Sequence, residues 1–304
     1  MPRPSKDPNA SHLLHDELTH DWVISAPVRA KRPDGSKKTV DRFSLAALRE
    51  EHILAVYGKA PHEVMAIENR FPVFHQDKEV YGRQEILIEG NGRAPFSSFS
   101  VAQIKTTLDA MMERSNVFRA DKKLKYLVAF KNDGHAAGAS QPHPHSQMFG
   151  MAFVPERAKL LWSRSLELRR KGKNVHRQAL RDATKTLMIF SDQNVVAFAH
   201  PTGRLPYEVR IVTRRAVDNI TETTPAERSS LAKALHALMP LIRARGFSYN
   251  FFFHDVFGEK SEMFEIRFAS RSNVWGGFEL DAGVFVNPVP PETAAEEYRL
   301  ALRK

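Results

Sequence analysis

The sequence predicts an α+β protein built from two copies of one unit, each a mainly antiparallel sheet with helices. Three observations point there. Short runs of β-branched and aromatic residues alternate with two long amphipathic segments. The order of these elements recurs, with Glu85 matching Glu208 at an offset of 123 and Phe130 matching Phe252 at an offset of 122. The composition, 42% hydrophobic and 26% charged, is that of a folded globular chain. The repeat divides the 304 residues into units at 1–175 and 185–304, joined across a charged, loosely patterned stretch near 170–190.

In chain order, the first dozen residues are polar and proline-rich, and no regular structure is expected of them. Trp22-Val23-Ile24-Ser25 reads as a strand, and Pro33-Asp34-Gly35 as a turn. Residues 42–57 carry Phe43, Leu45, Leu48, Ile53, Leu54 and Tyr57 at mixed helical spacing. Residues 85–89 form a strand that Asn91-Gly92 closes. Ser100 is an N-cap for a helix whose Ile104, Leu108, Met111 and Met112 share a face. A strand at 126–130 and a helix through 157–169 complete the first unit. In the second, strands are expected at 195–198, 207–211, 251–253 and 264–268. A helix after Pro225 presents Leu231, Leu235, Leu238 and Ile242.

Composition excludes several chemistries. With no cysteine, the chain has no disulfide framework, thiolate nucleophile, iron–sulfur cluster or cysteine zinc site. No apolar run approaches the roughly 18–20 residues of a membrane span, and the N-terminus lacks the apolar segment of a signal peptide. A cytoplasmic protein without a membrane partner is expected. The net charge of +10 attracts anions, but the basic residues are dispersed. Arg29-Ala30-Lys31-Arg32 and the group at 169–173 are short, which favours phosphorylated metabolites over nucleic acid.

Chemistry concentrates in residues 130–147, FKNDGHAAGASQPHPHSQ. A strand runs into Asn132, and small residues from Gly134 to Ser140 allow backbone amides to approach a ligand closely. His143, His145 and Gln147 follow at alternate positions, so an extended chain would place all three on one face. Neutral imidazole is a competent nucleophile toward phosphorus near pH 7, and His145 is the best flanked of the two histidines. Gln147 can donate an amide hydrogen bond to a phosphoryl oxygen but supplies no proton, which suits a leaving group already stable as an anion, such as a sugar phosphate. The competing reading of His-x-His is half of a metal site.

These residues resemble the active-site signature of the galactose-1-phosphate uridylyltransferase family, a branch of the histidine triad superfamily. Collinear stretches extend the resemblance: residues 18–24, 27–33, Glu68-Asn69-Arg70-Phe71-Pro72, Tyr249-Asn250 with His254, and Gly277-Phe278-Glu279. The resemblance implies two histidine triad-like units and a ping-pong nucleotidyltransferase in which His145 carries the nucleoside monophosphate. It implies that Asn132, Gly138, Ser140 and Gln147 hold the phosphates. Arg29 and Arg32 would add positive charge, Asn69, Arg70 and Phe71 would contact ribose and base, and Glu279 would remain of the sugar-binding positions. Substrates would be a nucleoside-diphosphate sugar with a sugar phosphate or phosphate, and the molecule a homodimer whose site the partner subunit completes.

Departures from the family pattern are equally legible. The cysteine pair of the family's zinc site is absent and a histidine ligand is replaced near Arg93; only His143 remains, so no metal or other cofactor is expected. In the second unit the corresponding histidine pair falls at Met263 and Glu265, leaving His254 alone. Asn273 and Phe285 stand where the family grips its hexose. A phosphorylase of ADP-glucose or of a dinucleoside polyphosphate is therefore the close alternative, and a non-catalytic nucleotide or RNA binder the alternative from another class.

Overall fold

Short strands that cannot cover their own apolar faces must pair side by side, and here they do so across the whole chain. The computed structural model describes residues 11–27, 41–44, 47–48, 52–60, 62–75, 80–90, 92–260 and 264–303. A small hairpin joins β1 (His12–His15) to β2 (Trp22–Ser25). The first half of the main sheet comprises β3 (Ile53–Tyr57), β4 (Val64–Glu68), β5 (Gly82–Glu89), β6 (Tyr126–Asp133) and β7 (His145–Met151), with α1 (Val101–Ala120) between β5 and β6. After α2 (Glu156–Arg170) and α3 (Val175–Asp182), the second half comprises β8 (Met188–Ser191), β9 (Val195–Ala199), β10 (Val209–Thr213), β11 (Tyr249–Val256) and β12 (Glu265–Ser270). The helix α4 (Pro225–Arg245) lies between β10 and β11, and α5 (Gly277–Ala282) and α6 (Pro291–Ala301) end the chain.

The ten strands form one sheet in the order β3-β4-β5-β7-β6-β11-β12-β10-β9-β8, with every neighbouring pair antiparallel. Read from either edge inward, the order is the same: three strands in sequence, then the fifth, then the fourth. The repeat seen in the sequence is thus a pseudo-two-fold, with β6 and β11 paired at its centre and Phe130 directly opposite Phe252.

Both long helices cover one face. Ser100 caps α1 through a capping box with Gln103, and Thr224 caps α4 through a capping box with Glu227. Ile104, Leu108 and Met111 of α1, and Leu231, Leu235, Leu238 and Ile242 of α4, join Leu127, Ala129, Phe251 and Phe253 in a single core. Period two then turns Phe130, Asn132, Asn250, Phe252 and His254 to the opposite face, where the chemistry lies.

Several elements differ from the sequence reading. Residues 53–57 are a strand, not part of a helix: Ile53 and Val56 are β-branched, and the helical spacing across 42–57 came from two unrelated segments. The stretch at 170–190 holds α3 and β8. β10 begins at Val209, because Tyr207 sits at a φ of 57° and ends the extended run. His12–His15 is also a strand. Residues 1–10, the turn at 33–35 and Asn91 lie outside the described residues.

His200, at the end of β9, gives a stability prediction. Burial, followed by the positive charges of Arg210 and Arg267, pushes its imidazole down to about 4. Its Nδ1 accepts the Thr202 backbone N–H at 3.0 Å, a bond that only the unprotonated nitrogen can make. The unfolded chain therefore takes up this proton first, below the ordinary value of 6.5. The contribution is complete above that pH and is lost as pH falls toward 4. Between about pH 7.5 and pH 5 it amounts to roughly 1–2 kcal/mol. Denaturant titrations of wild type and His200→Asn, whose Oδ1 keeps the acceptor, should show a shallower acid slope in the variant; parallel curves would refute the assignment.

Candidate active site

The site begins where β6 leaves the sheet. Asn132 and His145 occupy adjacent strands, since Lys131 pairs with Ser146 and the next position brings these two side by side on the face away from the helices. Between them the chain makes a tight excursion through a 3₁₀ turn at His135–Ala137. Gly134 adopts a φ of 84°, and a Cβ there would lie 2.2 Å from Ser248 Oγ, so only glycine fits. Gly138 is left-handed at a φ of 83°, and a Cβ on it would touch Asn132 Nδ2. Asn250 of β11 braces the turn: its Nδ2 donates to Asn132 Oδ1 at 2.8 Å and to the Ala137 carbonyl at 3.0 Å. The Asn132 amide is thereby oriented, with its N–H₂ end on the Gly138 side.

His145 opens β7 and is 5% exposed. Its Nδ1 lies 2.9 Å from the carbonyl oxygen of His143. A carbonyl can only accept, so Nδ1 carries the proton and the lone pair lies on Nε2. Phe43 packs against the ring with centroids 5.0 Å apart. The ring lines a narrow cleft of about 60 Å³ together with Gln147, Ser140, Asn69, Arg70 and Phe71. Two polar atoms in that cleft, Asn69 Nδ2 and Gln141 Oε1, are buried without a hydrogen-bond partner. Buried polar groups in folded proteins are rarely left so, and these mark positions a polar ligand would satisfy.

His143 behaves differently from the expected shared face. It precedes β7, it is 1% exposed, and it does not line the cleft. Its Nε2 lies 3.0 Å from the Gly90 carbonyl and its Nδ1 3.1 Å from Asp41 Oδ2. Arg93 Nε donates to the same Asp41 oxygen at 3.3 Å. Burial works to raise the Asp41 carboxyl, but the hydrogen bonds from His143, the Phe43 backbone and Arg93 outweigh it and leave the group below its ordinary value. His143 thus ties the start of β7 to β5 and to residue 41.

Behind His145, on the helix side, lies a fully buried ion pair. Lys131 Nζ donates to Glu89 Oε2 at 2.5 Å and to the His145 carbonyl at 3.2 Å. Glu89 Oε1 accepts from Ser146 Oγ at 2.5 Å, and Lys131 sits over the Phe96 ring, 4.5 Å from its centroid. Glu89, Lys131, Asp41 and Asn250 were not singled out as site residues from sequence. Glu89, Asp41 and Asn250 are remote from the histidines in the chain; Lys131 lies within the 130–147 stretch and Asn250 in the Tyr249-Asn250 motif, but neither pattern shows which partner the side chain meets.

Of the remaining sequence-predicted residues, Arg29 and Arg32 lie outside the described residues. Glu279 stands on α5, away from the cleft, where its Oε2 accepts the Gly276 N–H at 3.0 Å. Around it Val274, Phe278 and Leu280 are 86%, 57% and 70% exposed, an apolar surface on this chain.

The chain is similar to galactose-1-phosphate uridylyltransferase of Thermotoga maritima, 25% identical across 94% of this chain and 97% of that protein. It is similar to ADP-glucose phosphorylase of Arabidopsis thaliana, 23% identical across 97% of this chain and 94% of that one. Among solved structures, a uridylyltransferase superposes with a TM-score of 0.82 at 22% identity, covering 96% of this chain and 98% of the other. The Arabidopsis ADP-glucose phosphorylase with bound ADP-glucose superposes with a TM-score of 0.75 at 23% identity, covering 95% and 98%. These likenesses show the fold, α+β with paired histidine triad-type halves. Residues 96–304 match the family model described as domain of unknown function DUF4921, and the chain belongs to that family.

Proposed function

We propose that the protein is a nucleotidyltransferase that acts on nucleoside-diphosphate sugars through a nucleotidyl-His145 intermediate. The observation that carries this is the Nδ1–H of His145 donating to the His143 carbonyl, which leaves the Nε2 lone pair on a ring lining a polar cleft. In the first step Nε2 attacks the α-phosphorus, an N–P bond forms, and the bond to the sugar 1-phosphate oxygen breaks. In the second an acceptor phosphate oxygen attacks the same phosphorus and the N–P bond breaks. The His143 carbonyl steadies the charge that develops on the ring, and Gln147 donates to a non-bridging oxygen. Ser140 and the amides of 134–140 extend the anion site, Asn132 and Gly138 shape it, and Asn69, Arg70 and Phe71 hold ribose and base.

Incubation with UDP-glucose or ADP-glucose should leave an acid-labile, base-stable nucleotidyl group on His145, read by peptide mass spectrometry. No adduct on wild type, or one on His145→Ala, would sink the proposal. Gln147→His should raise hydrolysis relative to transfer severalfold, because a third imidazole supplies a proton donor. An unchanged ratio would refute that role for Gln147.

One feature favours a phosphorylase, with inorganic phosphate as acceptor. Phe285, at a position where the resembled family grips its hexose, packs on Trp275 with centroids 4.8 Å apart and under Arg204 at 4.7 Å. An apolar ring committed to such a cluster offers no hydrogen bonds to a sugar. Comparing phosphate with hexose 1-phosphate as second substrate separates the two. The reading includes a homodimer, supported by the exposed apolar residues beside Glu279. It does not include zinc at His143, whose surroundings combine an arginine guanidinium, which is no metal ligand, with a carboxylate already paired to it.

A further inference from the structure

The pseudo-two-fold gives the His145 site a counterpart in the second half. On β7 Gln147 lies opposite Phe130, and on β12 Arg267 lies opposite Phe252, so Arg267 takes the place of Gln147 and Glu265 that of His145. The second half therefore has no imidazole at this position, only a carboxylate committed to Arg210 and Arg267. What it has is positive charge.

Above β6, β11 and β12, under the start of α2, is a cavity of about 550 Å³ lined by Arg157, Arg204, Arg267, Arg271 and His200. One acid, Glu208, also lines it, but its Oε2 accepts the backbone N–H groups of Arg204 and Leu205 at 2.8 and 3.3 Å and so closes a turn. Arg267 shares the single carboxylate of Glu265 with Arg210. Among the described residues no carboxylate lies within salt-bridge distance of Arg157, Arg204 or Arg271. Two donors lining the cavity, Arg271 Nε and Trp275 Nε1, are buried without an acceptor. Such donors are costly to leave unmade, and four guanidinium groups around one space repel one another until an anion enters. Partial desolvation, and after it the charges of Arg204 and Arg267, holds Arg157 below the ordinary arginine range. Phe252, Trp275 and Tyr126 supply flat apolar walls, and the volume is in the range of small-molecule sites.

We propose that this cavity binds a phosphorylated small molecule, its phosphate held by Arg157, Arg204, Arg267 and Arg271, without reacting with it. The cavity shares no lining residue with the His145 cleft, and Asn250, which braces Asn132, stands between the two.

Trp275 provides the readout. Tryptophan fluorescence of the full chain should change saturably with glucose 1-phosphate, AMP or inorganic phosphate at millimolar concentrations. The change should persist in His145→Ala, disappear in Trp275→Phe, and need about tenfold more ligand in Arg157→Gln/Arg204→Gln. Tighter binding of the two esters than of phosphate identifies an organic ligand, and equal binding identifies free phosphate. No saturable change, or one that the arginine substitutions leave unaltered, overturns the proposal. If the double substitution lowers the ligand-free melting temperature, Arg157→Gln alone carries the test, since Arg157 stands on the exposed first turn of α2. Nucleotidylation of His145, measured in the same variants, reports on the catalytic proposal independently.

Discussion

Alanine at position 145 is expected to lower nucleotidyl transfer by about 10⁴-fold or more, the scale seen when a covalent nucleophile is removed. The folded state should survive, because the loss is one half-polar ring at the start of a strand whose backbone pairing with β5 and β6 is untouched. A stability change within about 2 kcal/mol is anticipated. Steady-state assays with a labelled nucleoside-diphosphate sugar, alongside denaturant unfolding, separate the two effects. Residual transfer within tenfold of wild type would mean that another group carries the nucleotidyl moiety.

The second large effect concerns stability. Lys131→Met should cost about 3–5 kcal/mol, because it strands the Glu89 carboxylate in a fully buried site. A pair of apolar replacements, Lys131→Met with Glu89→Leu, should recover much of that loss, since no charge then remains to be buried. A shift in unfolding midpoint for the single variant, largely reversed in the double, is the measurement; a single-variant cost below about 1 kcal/mol would show that Glu89 finds solvent. The double variant should still transfer more slowly than wild type, because Lys131 Nζ also holds the His145 carbonyl and Glu89 holds Ser146.

The sequence reading succeeded where local signals and tertiary demands agree. Ser100 caps α1 as expected and α4 starts at Pro225 as expected, because a helix start depends on a few neighbouring residues. The runs at 126–130 and 251–253 became the central strands, because a strand flanked by neighbours selects aromatic and β-branched residues. It failed at the sheet edges. β3 and β8 are outermost, short and only half-buried, so their patterns are weak, and β8 was hidden in a charged stretch. Likewise, period two predicts that His143 shares a face with His145. The strand begins two residues after His143, and Asp41 and Gly90 draw the ring elsewhere.

By itself the sequence determined the repeat, the starts of α1 and α4 and the spacing of the His145 imidazole from the Gln147 amide two residues on, because these rest on spacing along a few residues. Only the tertiary structure decided that β6 and β11 join the halves into one sheet. It alone decided which His145 nitrogen keeps its lone pair, that Lys131 and Glu89 stand behind that ring, and that four arginines from distant elements surround one cavity. These depend on contacts between residues remote in the chain, whose distances no local pattern encodes.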